Sequence, residues 1–303
     1  MPVLFCFGLG YSASHFIAEF GGKFDRIAGT VRTREKAAAI AAAGIGGHKV
    51  EAFVFDGQAA PAVIAAVMDA SAVLISVPPH QNSDPVMAHF ADSMAAPHLQ
   101  SIVYLSTVGV YGDHAGAWVD ETTPAAPVSA RSRERLEAEQ AWAALGAHAG
   151  KAVAILRLSG IYGPGQNALV QVARGSARRI DRPGQVFNRI HVDDIAQAID
   201  AAFARRANGI FNVTDDEPTA QGVPIMFAAE LLGVAPPPEI AFAQAAPDMS
   251  PMALSFYGES KRVRNARLKH ELGVALRYPT YREGLRALLA EVSGHPAAAG
   301  APR

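Results

Sequence analysis

The chain has 303 residues, half of them hydrophobic, and a formal net charge of -1. That length accommodates one large α/β domain, or a nucleotide domain with a smaller lobe, around an ample core. The near-neutral charge gives no electrostatic reason to expect nucleic acid or an anionic membrane as partner, and no apolar run reaches the roughly 18 residues of a membrane helix. The N-terminus has no basic region ahead of an apolar one, so the expected location is the cytoplasm.

In chain order, the apolar run Val3 to Phe7 meets Gly8-Leu9-Gly10-Tyr11-Ser12-Ala13. A helical pattern (Phe16, Ile17, Phe20) and a second apolar run ending at Val31 follow. This strand, glycine turn, helix and strand predicts a bound dinucleotide. Gly8 permits the sharp turn, Gly10 lets the backbone approach a pyrophosphate, and Ala13 lets helix and strand pack closely. Leu9, Tyr11 and Ser12 complete the loop, and the helix N-terminus offers N–H groups to the anion. The alternative is a tight turn without a ligand. Cys6, the one cysteine, sits in the first strand pattern as a small apolar residue, and no disulfide within the chain is possible.

A site for an unphosphorylated adenine ribose usually ends its second strand in Asp or Glu. Here the sequence is Val31-Arg32-Thr33-Arg34, and a guanidinium suits a 2′-phosphate through bidentate, charge-assisted bonds. The expected cofactor is NADP(H) in preference to NAD, unless Arg32 and Arg34 are solvated loop charges. Thr33 caps a helix through Ala43, and Lys49 to Phe55 is a third strand. Asp56, closing it, either accepts from the adenine amino group or caps the next helix. Pro61 opens a helix to about Ala70. Ala72 to Val77, bounded by Pro78-Pro79, suits a buried parallel strand whose end contributes Ser76 and Pro78 to the cofactor site.

Asp84-Pro85 opens another helix, Ser101 to Ser106 is the fifth strand, and Ser129 to His148 is a long helix with Leu136, Trp142 and Leu145 available for packing. Lys151 to Leu158 is the sixth strand. The alternation predicts an α/β fold over residues 1–160, a Rossmann-type doubly wound parallel sheet with helices on both faces. From Ile161 the pattern changes, and residues 161–293 read as a small C-terminal substrate lobe interleaved with the sheet's last strands. Short strands are expected at Val186 to His191 and Ile210 to Val213, with helices at Asp193 to Ala204 and Thr219 to Leu232. Ala235 to Pro251 reads as a surface loop and residues 294–303 as a disordered tail. No HExxH, CxxC or clustered His/Asp/Glu suggests a metal, and neither Gly-x-Ser-x-Gly nor a P-loop lysine is present.

Five stretches together resemble the extended short-chain dehydrogenase/reductase family, also called NAD-dependent epimerases/dehydratases. They are the glycine loop, Val103 to Gly112 (VYLSTVGVYG), Leu156 to Gly165 (LRLSGIYGPG), Ile190 to Ala196 (IHVDDIA), and Phe211-Asn212-Val213 with Asp216-Glu217-Pro218. Phe7 stands where the family's Gly-x-x-Gly-x-x-Gly has its first glycine, which is similar to an atypical branch that keeps the fold but lacks most of the usual active-site residues. The resemblance implies a second lobe closing over substrate and a Ser or Thr that holds a substrate oxygen near the nicotinamide. Thr107 takes that place with Ser106 beside it, unless Thr107 only satisfies a turn.

The family's Tyr-x-x-x-Lys pair falls on Arg131 and Arg135. An arginine can polarise an oxygen but does not give up its proton at working pH. Arg131, Arg133, Glu134, Arg135 and Glu137 also fit a solvated helix face. Tyr111, His114, Tyr162, His191 and His80 are substitute acid/base candidates. Asp193 or Asp194 is expected to cap the next helix. Gly160, where many sugar-nucleotide members have Asn, weighs against a nucleotide-sugar. Two functions follow: an NADP(H)-dependent oxidoreductase, epimerase or dehydratase acting on a small polar, sugar-like metabolite, or an NADP(H)-sensing binding protein without turnover. Family members often dimerise through the helices at Asp84 to Ala95 and Ser129 to His148, which makes a homodimer the expected assembly to test.

Overall fold

Strand β1 (Val3–Phe7) divides two apolar layers, because successive strand side chains point to opposite faces. Leu4 and Cys6 enter one layer, Phe5 and Phe7 the other. The computed structural model describes residues 2–81 and 83–293, and the tail expected to be disordered lies outside the described residues.

From β1 the chain runs through α1 (Tyr11–Phe20), β2 (Arg26–Val31), α2 (Arg34–Ala43) and β3 (Glu51–Val54), each strand adding outward on one side. It then crosses back through α3 (Pro61–Met68) to β4 (Ala72–Ile75) on the other side of β1. Helix α4 (Pro85–Phe90), β5 (Ser101–Thr107), the short β6 (Trp118–Val119), α5 (Ala130–Ala149) and β7 (Ala152–Leu158) continue outward. Next come β8 (Gly160–Tyr162), α6 (Ala168–Ala173), β9 (Arg179–Asp181), β10 (Arg189–His191), α7 (Val192–Arg205) and β11 (Gly209–Val213). The seven-stranded sheet has the order β11-β7-β5-β4-β1-β2-β3, and every pairing in it is parallel. The reversal of direction between β1 and β4 opens a crevice at their carboxyl ends, where such sheets bind ligands.

Helices α1 and α7 cover one face of the sheet, with Phe16, Ile17, Ile195 and Ile199 fully buried. Trp142 of α5 and Phe90 of α4 lie in the layer on the other face. A third cluster, Leu169, Phe227, Tyr281 and Leu285, joins α6, α8 (Gly222–Leu232) and the helix Tyr281–Ser293.

Several boundaries differ from expectation. Helix α8 begins at Gly222 because Thr219 pairs with Phe187 in an isolated bridge instead. The stretch expected as a loop at Ala235 to Pro251 contains β12 (Glu239–Ala241), which pairs in parallel with β9, and Phe242 then stacks on Tyr257 at 4.9 Å. Its alanines and prolines concealed a strand whose hydrogen bonds are long-range. A short helix, Pro251–Tyr257, is capped by Ser250, and β13 (Arg262–Val263) pairs with β6.

Candidate functional site

The glycine turn lies at the crevice. Gly8 has φ +89°, and a Cβ there would sit 2.8 Å from Ser76 Oγ, so both conformation and space require glycine. Ser76 Oγ in turn lies 2.7 Å from the Gly8 carbonyl oxygen, fixing the end of β4 to the turn. Leu9 N–H donates to Thr30 O at 2.8 Å, which sets the loop against the end of β2. Gly10 is the N-cap of α1, no side chain caps that end, and no atom lies within 4 Å of the position a Gly10 Cβ would take. The first turn of α1 holds no acidic residue. Backbone N–H groups and the positive end of the helix dipole therefore meet open space, an arrangement suited to a pyrophosphate. Ala13 and Leu9 are buried beneath the turn.

Across the crevice, β5 and α5 present the second set of expected residues. A cavity of ≈ 490 Å³ is lined by Gly10, Tyr11, Ser12 and Ser76 on one side and Ser106, Thr107, Arg131 and Arg135 on the other. Arg32, Asp56 and Pro78 are exposed and lie outside that lining, with Arg32 immediately after β2.

Ser106 is turned inward, its hydroxyl donating to Glu139. Glu139 is also gripped by Arg157, with Nη2 at 2.7 Å and Nε 3.1 Å from both carboxylate oxygens, and both residues are buried. Arg157 stacks on Tyr111 at 4.7 Å, and the Tyr111 hydroxyl donates to Asn212 Oδ1 at 2.8 Å. Thr107 Oγ1 accepts from Gly109 N–H at 3.1 Å, so it does satisfy a turn while also facing the cavity.

Arg135 is not part of a solvated face. It is 8% exposed, donates to the Leu105 carbonyl and lies 5.7 Å from the centre of the Tyr104 ring. Arg131 is exposed at the rim.

None of the five substitute acid/base candidates lines this cavity. Tyr111 is buried, and His114 Nε2 lies 3.1 Å from Tyr111 O. His80 is exposed beside a backbone bridge to Ser83. Tyr162 lines a second cavity of ≈ 260 Å³ with Arg189 and Tyr281. His191 is buried, and desolvation pulls its imidazole down to about 3, leaving it neutral and unable to supply a proton near neutrality. It is His191, not Asp193 or Asp194, that caps α7: its Nδ1 accepts from Asp193 N–H at 3.1 Å. Asp194 instead accepts from the backbone N–H groups of Arg277 at 2.6 Å and Tyr278 at 3.1 Å, and burial raises its carboxyl to about 6.

The sequence reading missed Glu259 and Lys261, both of which line the cavity. Lys261 Nζ lies 3.0 Å from Glu259 Oε1 and donates to Gly112 O at 2.9 Å. Burial lowers the lysine from its ordinary value, against the pull of Glu259, and raises the glutamate against the pull of Lys261. A Cβ at Gly109 would lie 2.8 Å from Ser132 Oγ, 3.4 Å from Thr107 Oγ1 and 3.6 Å from Glu259 Oε1, so the bare glycine is where these three groups converge. No local signal marks Glu259; the β6–β13 ladder brings it there from far along the chain.

Among the described residues no group of three or more metal-ligating side chains is assembled, and no helix is long and apolar enough to cross a membrane.

Comparison with known proteins bears on the family and the fold. The NAD dependent epimerase/dehydratase family matches residues 85–214. Protein YeeZ of Escherichia coli (strain K12) is 30% identical over 222 residues, 71% of this chain and 74% of that protein. A conserved protein of unknown function from Silicibacter pomeroyi DSS is 44% identical, with TM-score 0.86 over 96% of this chain and 99% of that one. The dTDP-glucose 4,6-dehydratase of Bacillus anthracis str. Ames, solved in complex with NAD, shares the fold at TM-score 0.75 and 16% identity, covering 95% and 96% of the two chains.

Proposed function

The chain belongs to the NAD dependent epimerase/dehydratase family, and from that premise we propose that it binds NADP(H) at the carboxyl edge of β1, β2 and β4 and acts as an oxidoreductase or epimerase on a small polar, sugar-like metabolite. One observation carries this reading: the uncapped N-terminus of α1 and the polar groups of β5 and α5 open into the same ≈ 490 Å³ cavity. The turn at Gly8 and the open space beside Gly10 fit a pyrophosphate. Arg32, exposed after β2, offers its guanidinium to a 2′-phosphate, and Asp56 lies two residues beyond β3 for the adenine. When bound, the nicotinamide supplies or accepts a hydride. Thr107 Oγ1 holds a substrate oxygen, and Arg131 and Arg135 polarise it without giving up a proton. In this reading residues 1–160 hold the cofactor and residues 161–293 close over the substrate, with α7 and β11 lent back to the sheet. Homodimerisation through α4 and α5 belongs to the same reading.

A second reading, cofactor sensing without turnover, is favoured by a specific observation. The Ser106 hydroxyl is committed to Glu139, Thr107 Oγ1 to a turn, and Arg131 is exposed. The two readings separate when the reduced cofactor is incubated with the protein and a panel of small carbonyl metabolites. Protein-dependent loss of reduced-nicotinamide absorbance, removed by Thr107→Val, supports the enzyme. Cofactor binding with no turnover across the panel supports the sensor.

A further inference from the structure

We propose that the ligand of the larger cavity carries an oxyanion, a carboxylate or a phosphate, held between Arg131 and Arg135. The inference rests on reading that cavity as the substrate site. Four charged side chains line the cavity: Arg131, Arg135, Glu259 and Lys261. Glu259 is already met by Lys261 at 3.0 Å. Glu139, one helical turn beyond Arg135, is taken by Arg157 and Ser106. Among the described residues no ion pair joins Arg131 or Arg135 to a carboxylate, so neither guanidinium lining the α5 wall of the cavity is met by an anion.

Arg135 makes the case stronger. It is 8% exposed and commits an N–H to the Leu105 carbonyl, while a guanidinium carries five N–H donors. Donors therefore remain for a ligand in the cavity it lines. A cation held away from water without a counter-charge is costly, and a bound anion supplies that counter-charge. Positions 131 and 135 lie one turn apart on one helix face and both side chains line the same cavity, and arginine meets carboxylate and phosphate alike with paired bonds. The cofactor's own phosphates have separate donors, the N-terminus of α1 and Arg32, and Arg32 does not line the cavity.

The test is calorimetric titration of the full chain with inorganic phosphate and with oxalate, each in the presence and absence of NADPH. The expected result is saturable binding of one of the two, the tighter one identifying phosphate or carboxylate as the recognised group. Arg131→Ala, at an exposed position, weakens that binding by at least about tenfold and leaves NADPH affinity unchanged. Arg135→Leu weakens it at least as much; its thermal melt is recorded alongside, and Arg131→Ala decides the matter where that melt is lowered. Failure of both oxyanions to bind with and without NADPH, or binding that Arg131→Ala leaves unchanged, overturns the proposal. Loss of NADPH binding with Arg131-dependent oxyanion binding retained refutes the cofactor reading and leaves this one standing.

Discussion

The turn after β1 and the start of α5 face one cavity, but they are made in different ways. The turn is a backbone site: six consecutive residues, Gly8 to Ala13, supply the positive φ, the open approach and the uncapped helix end. The opposite wall is a side-chain site assembled from distant stretches. Ser106 is held by Glu139, Glu139 by Arg157, and Glu259 by Lys261, which itself bonds the Gly112 carbonyl. A backbone site is specified by local spacing, whereas an assembled charge site exists only when the sheet and the β6–β13 ladder are in register. The first is therefore sensitive to shape, and the second to the loss of any one charge.

The largest effect that tests this contrast comes from Arg157→Leu. It leaves Glu139 buried without its cation and is expected to cost about 3–5 kcal/mol in urea unfolding. A cost below about 1 kcal/mol breaks the claim that the wall depends on paired charge. Next is Gly8→Val. It places a β-branched residue at φ +89° with its Cβ against Ser76 Oγ, and should cost about 2 kcal/mol of stability and at least about tenfold in NADPH affinity. Unchanged affinity would detach the turn from the cofactor.

The smallest effect concerns pH. Burial pushes the Asp215 carboxyl, at the end of β11, up to about 8. The folded protein thus keeps a proton that the unfolded chain releases near an ordinary carboxyl value of about 3.9. The stabilisation is full below that value and is lost as pH rises through 8. His191, held down at about 3, acts in the opposite sense and below pH 6.5. Stability is therefore expected to fall between pH 6.5 and 8 by on the order of 1 kcal/mol, and Asp215→Asn to flatten that decline. A decline of the same size in the variant would assign it to another group.

How much of this was legible in the sequence follows the same division. The sheet could be read because strands buried on both faces, such as Ala72–Ile75, are continuous apolar runs. Thr33 was a recognisable cap and accepts from the backbone three residues on; Ser129, read as the first residue of its helix, instead caps it in the same way. The strand Glu239–Ala241 and the helix Pro251–Tyr257 were hidden, because their support comes from β9 and from Tyr257 packing on Phe242. Asp193-Asp194 resembled a cap, yet the histidine before them does that work and Asp194 secures a segment more than eighty residues away. Arg135 read equally as a surface charge and as a site residue, since helical spacing does not reveal which face β5 covers. Glu259 and Lys261 carry no motif, and long-range contacts bring them to the cavity: the pairing of β13 with β6, and the Gln185 and Asn188 side chains bonding the Glu259 and Lys261 carbonyls.

The central claim is that the turn at Gly8 to Ala13 holds a dinucleotide whose 2′-phosphate is read by Arg32. Calorimetric titration of the wild type and of Arg32→Glu with NADPH and NADH tests it most directly. The account predicts wild-type NADPH binding far tighter than millimolar, at least about tenfold tighter than NADH, with the difference abolished in Arg32→Glu. Binding of neither cofactor below about millimolar, an affinity of roughly 4 kcal/mol, would contradict the site, and equal affinities for the two in the wild type would contradict the role of Arg32.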